Sequence, residues 1–224
     1  VKTAGIVLET VVVDDASTDG TAEAIASEFP ATIVLRGNGS LWWTGAINEG
    51  VQYALSRNGD YVLFLNDDLR LDDGFIDELH KVASRNPGAL VGAIKLARVG
   101  NRSEIVTSGL KVKGPLQKIV DPFVGQIYQD MDLEDQYDCD ILGGAALLVP
   151  SGVFRQLGLL DQRRFPHNWS DFEFTRRAST NGYRCIVATR AHVYTDKDNP
   201  NYHYRYLIES SRKDYLKNLF NNHK

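Results

Sequence analysis

The sequence predicts an α/β fold with a Rossmann-like, mostly parallel central sheet that is flanked by helices. Between residues 11 and 96, four apolar strand segments alternate with three helical segments, as in a doubly wound sheet. Polar and acidic residues follow the strands, at the ends where open α/β sheets bind ligands. The run Tyr61–Leu65 is short and mostly apolar, which indicates a strand buried on both faces of a parallel sheet.

Length and composition indicate a globular domain and exclude some partners. The 224 residues are 43% hydrophobic and can bury a substantial core. A net charge of −4 leaves no excess of Lys and Arg, so we expect no nucleic-acid partner. No apolar run approaches the roughly 18 residues of a membrane span, and no signal sequence opens the chain. We expect a soluble, cytoplasmic protein with buried, reduced Cys139 and Cys185. Peripheral contact with the inner face of a membrane stays open, and nothing indicates the oligomeric state.

The first two predicted strands are unusually close together. Thr3–Leu8 and Val11–Val13 are both apolar, and only two residues separate them. Neighbouring parallel strands need a crossover of about a dozen residues, usually a helix. Either the pair forms a tight antiparallel hairpin without turn residues, or a segment is missing near Leu8 and Glu9. We favour the missing segment.

An acidic corner follows the second strand. Asp14 and Asp15 precede a helix that Ser17 or Thr18 can cap and that Pro30 ends. At a strand's carboxyl end these carboxylates could accept hydrogen bonds from a base or from ribose hydroxyls. The alternative is turn chemistry combined with a favourable interaction with the helix dipole.

A third strand, Ala31–Leu35, leads to a flexible corner and then to a helix over residues 46–54. Trp42 and Trp43 are predicted in the loop before this helix, where an aromatic plane could stack on a sugar or a base. Alternatively, one or both cover the edge of the sheet as core residues.

Asn66, Asp67 and Asp68 follow the apolar strand Tyr61–Leu65 directly. Because side chains alternate along an extended backbone, Asn66 and Asp68 would point to one side and Asp67 to the other. Mg²⁺ is typically held by one or two carboxylates together with phosphate oxygens and water, so two oxygen ligands could suffice here. The alternative is an acidic turn that caps a helix starting near residue 72 or 73.

The domain divides into two predicted halves. Residues 1–97 form a predicted nucleotide-binding half, and residues 98–224 form a second half of the same domain with a smaller sheet. In the second half, residues 105–112 and 119–124 read as short strands, and residues 129–138 read as an exposed acidic loop.

Gly143 and Gly144 lie within a predicted apolar strand, Asp140–Val149. Glycine inside a strand weakens packing and often marks a position where a ligand approaches the backbone. A donor-sugar pocket would use that space. A bulge that only curves the sheet is the alternative.

Asp171 is predicted at the start of a helix. Ser170 and Glu173 match a capping box, and Trp169 stands immediately before them. The helix dipole favours an ionised Asp171, which would be a ready but not strongly basic proton acceptor. The alternative is a charge that merely stabilises the first turn.

Taken together, these motifs resemble those of a family 2 glycosyltransferase of the GT-A fold. The matching pieces occur in the family's order and span nearly the whole chain. They are VVVDDASTDGT at residues 11–21, the pattern of Asn38, Gly45, Asn48 and Gly50, the LNDD form of the DXD motif at residues 65–68, GGAALLVPSGVF at residues 143–154, and SDFEFTRRASTNGY at residues 170–183.

The resemblance implies inverting transfer of a hexosyl or deoxyhexosyl group from a nucleoside-diphosphate sugar to a hydroxyl of a saccharide or lipid-linked acceptor. The expected setting is synthesis of a surface polysaccharide or glycolipid. The resemblance also implies that residues 1–97 are a nucleotide-sugar-binding half and residues 98–224 an acceptor-binding half of the same domain, and it assigns roles by position. Asp171 is the catalytic base, Asp68 ligates Mg²⁺ or Mn²⁺, the nucleotide contacts Asp14, Asp15, Asn38, Asn66 and Asp67, and the donor and acceptor pocket includes Trp43, Gly143, Gly144 and Trp169.

Two features depart from the family. The nucleotide-contacting loop and helix that normally follow the first strand are absent. Where a histidine is commonly found after the last core strand, this chain has Thr195 and Asp196, with His192 three residues earlier. The third metal ligand is therefore not assigned.

The sequence alone leaves two alternative functions open. A sugar nucleotidyltransferase has a similar sheet but ordinarily carries a glycine-rich, basic loop after its first strand. A non-catalytic module that binds nucleotide sugars is the second rival.

The tail from Asn201 onward carries aromatic and basic residues that could shape the acceptor site, touch an anionic membrane, or pack on the domain.

Overall fold

The computed structural model describes residues 5–195, which form five α-helices and eleven strands. The helices are α1 (Thr21–Glu28), α2 (Trp42–Ser56), α3 (Phe75–Arg85), α4 (Ser151–Leu157) and α5 (Ser170–Thr180). The strands are β1 (Val11–Asp14), β2 (Ile33–Arg36), β3 (Tyr61–Leu65), β4 (Arg70–Leu71), β5 (Leu90–Val99), β6 (Arg102–Thr107), β7 (Lys111–Lys113), β8 (Lys118–Val120), β9 (Gln136–Cys139), β10 (Ala146–Pro150) and β11 (Cys185–Thr195).

Seven of these strands form one central sheet. Its order is β3-β10-β5-β11-β4, with β6 paired to β5 and β9 paired to β11. Only β5 and β11 run parallel, and the other pairings are antiparallel. The predicted α/β class is thus confirmed, but the strand directions are mixed rather than mostly parallel. Strands from both predicted halves of the chain alternate in this sheet.

The strand Tyr61–Leu65 has the predicted bounds but lies at an edge of the sheet, where it pairs with β10 in the antiparallel direction. Its apolar run has a different cause from the one predicted. Val62 and Phe64 pack in one hydrophobic cluster, whereas Tyr61 and Leu63 pack against a second cluster. Both faces of this edge strand are therefore apolar, although it is not an interior parallel strand.

The two clusters place helices on both faces of the sheet. On one face, buried residues of α2, α4 and α5 include Val51, Phe154 and Phe174. On the other face, α3 contributes Phe75 and Leu79. Burial of apolar surface on both sides makes a three-layer arrangement that fixes the ends of the strands relative to α2 and α5.

The first two strands form a separate, parallel two-stranded sheet, and α2 packs against both β1 and β3. The predicted strand Thr3–Leu8 does not form in its described part, residues 5–8, where Val7 is 98% exposed. Within the described residues, no strand therefore precedes β1. The missing segment near Leu8 and Glu9 stays a prediction.

Several helix starts differ from the predictions. Gly20 in a left-handed conformation precedes α1, and neither Ser17 nor Thr18 caps it. The helix α2 begins at Trp42, so both tryptophans lie in its first turn rather than in a loop. Trp169, with φ of 74°, precedes α5 in place of the predicted Ser170 cap.

Two predictions for the second half are also corrected. Gly143 and Gly144 precede β10 instead of lying inside it. Residues 129–138 are more than an exposed loop, because β9 pairs with β11 while Met131 and Leu133 pack on the core. The sequence did not indicate this packing because the hydrophobic residues are scattered within an acidic segment.

Both thiols, Cys139 and Cys185, are free and buried, as predicted. Within residues 5–195, no helix combines the length and the apolarity needed to cross a membrane. The predictions for the tail beyond Asn201 lie outside the described residues.

Candidate active site

The acidic corner after β1 is tied to the start of α2. Oδ2 of Asp15 accepts hydrogen bonds from the backbone N–H groups of Leu41 at 2.7 Å and Trp42 at 3.3 Å, and Oδ1 accepts one from Gly39 at 2.7 Å. The first N–H groups of a helix have no partner within the helix, and a carboxylate there also interacts favourably with the dipole. Asp15 therefore fixes the start of α2, where the two tryptophans lie.

Asp14 faces inward. It is 4% exposed, and its carboxylate accepts hydrogen bonds from the Ser17 N–H at 3.0 Å and from Arg36 at 2.9 Å. The hydrogen bonds from Ser17, assisted by the Arg36 charge, hold the pKa of Asp14 below its usual value. Asn38 lies on the exposed corner after β2, where its side-chain oxygen accepts hydrogen bonds from the backbone and hydroxyl of Ser40.

A buried polar seam joins α2 to the segment that leads into α5. The Thr44 hydroxyl contacts the Phe165 carbonyl at 2.5 Å and the Ser170 hydroxyl at 2.7 Å. One turn later, Asn48 exchanges hydrogen bonds with the backbone of Leu160 at 3.0 and 3.1 Å. Residues four apart lie on one face of a helix, so this pair holds residues 160–170 along α2. The seam thereby sets the position of the first turn of α5.

Asp171 projects from that first turn toward the glycine pair. Its Oδ2 accepts a hydrogen bond from the Gly144 N–H at 2.6 Å, and its Oδ1 accepts one from the Phe172 N–H at 2.9 Å. Burial raises the pKa of Asp171, and these two hydrogen bonds oppose but do not cancel the effect. The expectation of a carboxylate that is not strongly basic rested on the helix dipole and did not include this effect of burial. Burial makes this carboxylate more basic than an ordinary aspartate.

Trp43 connects Asp171 to the turn after β3. Its indole N–H donates a hydrogen bond to Oδ1 of Asn66 at 3.1 Å. A Cβ added at Gly144 would lie 2.6 Å from the Trp43 ring and 3.0 Å from Cβ of Asp171, so only glycine fits between them. One added at Gly143 would lie 3.9 Å from the Asp171 carboxylate. The structure thus brings Asn66, Trp43, both glycines and Asp171 to one place.

The acidic turn lies across the end of the sheet. Asp67 and Asp68 are exposed in a turn between β3 and β4, which form the two ends of the main strand order. The chain must therefore cross the ends of the intervening strands. Lys95, in the middle of the central strand β5, has its pKa lowered by burial, and the charge of Asp68 opposes this lowering in part.

Lys95 was not among the predicted site residues. The only signal for it was a lysine inside the otherwise apolar run from Ala89 to Leu96.

A second unpredicted feature is the contact of Trp42, which is 54% exposed, with His167. The two ring centroids are 3.7 Å apart. Trp169 makes an edge-to-face contact with Phe172 at 5.4 Å, next to Asp171.

In the part of the chain that the structure describes, no three His, Cys, Asp or Glu side chains are grouped closely enough to hold a metal ion by themselves. A Mg²⁺ or Mn²⁺ ion that arrives with a diphosphate needs only one or two carboxylates, and the exposed Asp68 fits that requirement. His192 is already engaged, because its ring nitrogens lie 3.0 Å from the Asp72 carboxylate and 2.9 Å from the Thr189 carbonyl.

A mixed central sheet between two helical layers, with an acidic turn across its carboxyl end, is the GT-A fold of nucleotide-sugar glycosyltransferases. The family model described as "Glycosyl transferase family 2" matches residues 4–131, which is more than half of the chain. The chain belongs to this family, as the motifs indicated.

Curated relatives give a closer comparison. The chain is 26% identical over 202 residues to the N-acetylglucosaminyl-diphospho-decaprenol L-rhamnosyltransferases of two strains of Mycobacterium tuberculosis. The aligned part covers 82% of this chain and 65% of those relatives, so the chain spans about two thirds of their length.

Two solved structures share the fold at 17% identity. GalNAc-T7 with UDP, GalNAc and Mn²⁺ has a TM-score of 0.63, with 84% of this chain and 37% of that chain covered. The mannosyltransferase PcManGT from Pyrobaculum calidifontis, in complex with GDP-Man and Mn²⁺, has a TM-score of 0.58, with 90% and 51% covered.

Proposed function

We propose that this chain catalyses the inverting, metal-dependent transfer of a sugar from a nucleoside-diphosphate donor to a hydroxyl of a lipid-linked saccharide. The observation that carries the proposal is the continuous contact from Asp171 through Gly144 and Trp43 to Asn66. These contacts support the proposal that the Asp171 carboxylate and the acidic turn, which begins at Asn66, border one hollow at the end of the sheet.

Asp171 is the proposed general base. Its Oδ2 would take the proton of the acceptor hydroxyl while that oxygen attacks the anomeric carbon from the face opposite the diphosphate. The new C–O bond forms as the bond from the anomeric carbon to the diphosphate oxygen breaks, and the nucleoside diphosphate leaves with that electron pair. A positioned base of this kind typically contributes about 10²- to 10⁴-fold to the rate.

The acidic turn is the proposed metal site. Asp68 would hold Mg²⁺ or Mn²⁺, which when bound neutralises negative charge developing on the departing diphosphate. Both solved structures named above contain Mn²⁺, which supports this cofactor class. Asp67 and Asn66 would border the nucleotide, and Trp43 keeps the Asn66 amide oriented.

Asp14, Asp15 and Asn38 would shape the nucleotide pocket. The Asp14 carboxylate is buried and both oxygens of Asp15 accept backbone hydrogen bonds, so we propose that these two hold the corner in place. Asn38 is exposed on that corner and is available for direct contact. Trp43, Gly143, Gly144 and Trp169 would line the space for the donor and acceptor sugars.

The relatives favour particular substrates. Their name describes transfer of L-rhamnose, a deoxyhexose, to N-acetylglucosaminyl-diphospho-decaprenol. We therefore propose a deoxyhexosyl donor and a polyprenyl-diphosphate-linked sugar acceptor, in synthesis of a surface polysaccharide or glycolipid. Such an acceptor would bring the chain to a membrane surface.

The test combines donor binding with transfer. The protein is incubated with Mn²⁺, a panel of uridine, guanosine and deoxythymidine diphospho-sugars, and a short-chain polyprenyl-diphospho-N-acetylglucosamine. Product mass is measured by mass spectrometry, and donor affinity by calorimetry. Asp171→Asn should retain donor affinity and lose transfer, whereas the matched variant Asp73→Asn should retain both donor affinity and transfer. Donor binding without turnover of any acceptor would instead favour a non-catalytic binding module.

A further inference from the structure

We propose that Lys95 is a phosphate-binding residue whose ammonium group contacts the diphosphate of the bound donor. The inference rests on the proposed function and adds a residue to its site. It starts from the position of Lys95 in the sheet. In the middle of the central strand β5, Lys95 pairs with Thr107 of β6 on one side and with Val193 of β11 on the other.

The surroundings of Lys95 are small and mostly apolar. It lines a pocket together with Thr107, Gly143, Ala145 and Val193. Gly143 neighbours the Asp171 carboxylate, so this pocket adjoins the proposed catalytic base. A lysine in such a place requires a partner, because burying an ammonium group without a counter-charge is costly.

That partner is not supplied by a direct bond within residues 5–195. The described residues give Lys95 no hydrogen bond or ion pair, and the opposing charge that acts on it is that of Asp68. Burial accordingly lowers the pKa of Lys95. Lys95 is thus a partly buried cation in a pocket that Ala145 also lines, and the Ala145 carbonyl accepts a hydrogen bond from the Asn66 N–H of the acidic turn at 3.3 Å.

Metal binding would change this balance. When Asp68 ligates a divalent cation, its charge is compensated by that cation and no longer balances Lys95. A neutral sugar hydroxyl would not restore the balance, whereas a diphosphate brings anionic oxygens to the metal. Charge-assisted hydrogen bonds from an ammonium to phosphate oxygens are among the strongest in proteins. The diphosphate is therefore the group that suits Lys95.

The test compares four nucleotide ligands for the protein and for Lys95→Met, which keeps the length and removes the charge. With Mn²⁺ present, calorimetry is performed with UDP, GDP and dTDP and with the monophosphate of the base that binds tightest. Lys95→Met should weaken the diphosphate by about tenfold or more and the monophosphate by less. Lys118→Met, an exposed lysine on β8, makes the same charge change and should leave both affinities unchanged.

Titration with Mn²⁺ alone separates binding of phosphate from a structural role. Removing a cation near Asp68 should leave Mn²⁺ affinity unchanged or increase it, because a repulsion is lost. If Lys95 only held Asp68 in place, Mn²⁺ affinity would fall in parallel with diphosphate affinity. Parallel loss would overturn the proposal, as would an unchanged diphosphate affinity.

Two further variants keep the test decisive. Thermal unfolding checks that Lys95→Met folds, and Lys95→Gln, which is neutral but polar, should show the same loss if Lys95→Met does not fold. Asp68→Asn identifies which claim fails. If Asp68→Asn loses diphosphate binding while Lys95→Met keeps it, only the role of Lys95 is refuted. If the unaltered protein binds no diphosphate with Mn²⁺, the proposed function fails together with it.

Discussion

The backbone N–H of Gly144 lies 2.6 Å from Oδ2 of Asp171. The first residue precedes strand β10 and the second lies in the first turn of α5, 27 positions later in the chain. The bond fixes a carboxylate whose pKa is raised by burial, and the Trp43 ring also lies against Gly144. Substitutions at this junction should therefore affect stability and activity together.

Gly144→Ala should destabilise the protein by about 1–3 kcal/mol, because its methyl group would meet the Trp43 ring at 2.6 Å and Cβ of Asp171 at 3.0 Å. The transfer rate should fall more than donor affinity, since the base moves. Gly152→Ala is the matched control, because a methyl group in that helix of seven residues would meet nothing within 4 Å. Chemical unfolding and steady-state kinetics measure both effects, and equal stabilities for the two variants would contradict the packing.

The pH dependence of transfer should reflect the raised pKa of Asp171. A general base works when it is ionised, so kcat/KM should fall as the pH decreases through this pKa. Because burial raises the pKa, that acidic limb should lie above the ordinary aspartate value of 3.8. A pH profile of kcat/KM measures it. A limb at or below 3.8 would show that the hydrogen bonds from Gly144 and Phe172 outweigh burial.

The same pKa predicts a change in stability with pH. A carboxyl whose pKa is raised on folding stabilises the protein in its protonated form, and this contribution is lost as the pH rises from the unfolded-state pKa to the folded-state pKa. Relative to Asp171→Asn, the unaltered protein should therefore lose stability from pH 4 upward and then level off. Urea unfolding of both proteins across this range measures the difference, and a constant difference would argue against a raised pKa.

Thr44→Val should loosen the segment that delivers Asp171. The variant removes the hydroxyl that contacts the Phe165 carbonyl and Ser170, leaving buried polar groups unsatisfied at a cost of about 1–3 kcal/mol. Transfer should decline along with stability. Thr180→Val, at the exposed end of α5, should change stability by about 0.5 kcal/mol or less. Similar losses in both variants, measured by thermal unfolding, would contradict the role of the seam.

Local patterns predicted much of the fold. The apolar run Tyr61–Leu65 gave the bounds of its strand correctly because a short run between turn residues is a local signal. Strand directions were not predictable in this way. The partner of that strand, β10, begins 81 residues later, and pairing over such a distance depends on the packing of the whole chain.

In the candidate site too, local sequence patterns predicted some features, whereas others depend on the packing of the whole chain. Residues at strand exits and helix starts, such as Asn66 and Asp171, could be chosen from sequence because these positions bind ligands in α/β folds. The pKa of Asp171 could not, since it depends on burial against Gly144 and Trp43. Lys95 was not predicted because its proposed role depends on the charge of Asp68, which belongs to the turn after a different strand.

The central claim is that the acidic turn and the basic carboxylate face one hollow. A crystal structure with Mn²⁺ and a nucleoside-diphosphate sugar, with the metal located by anomalous scattering, tests this most directly. We expect Mn²⁺ bound by Asp68 and by diphosphate oxygens, with the anomeric carbon between the metal and Asp171. A metal bound away from Asp68, or a donor sugar on the side of the sheet remote from Asp171, would contradict the account.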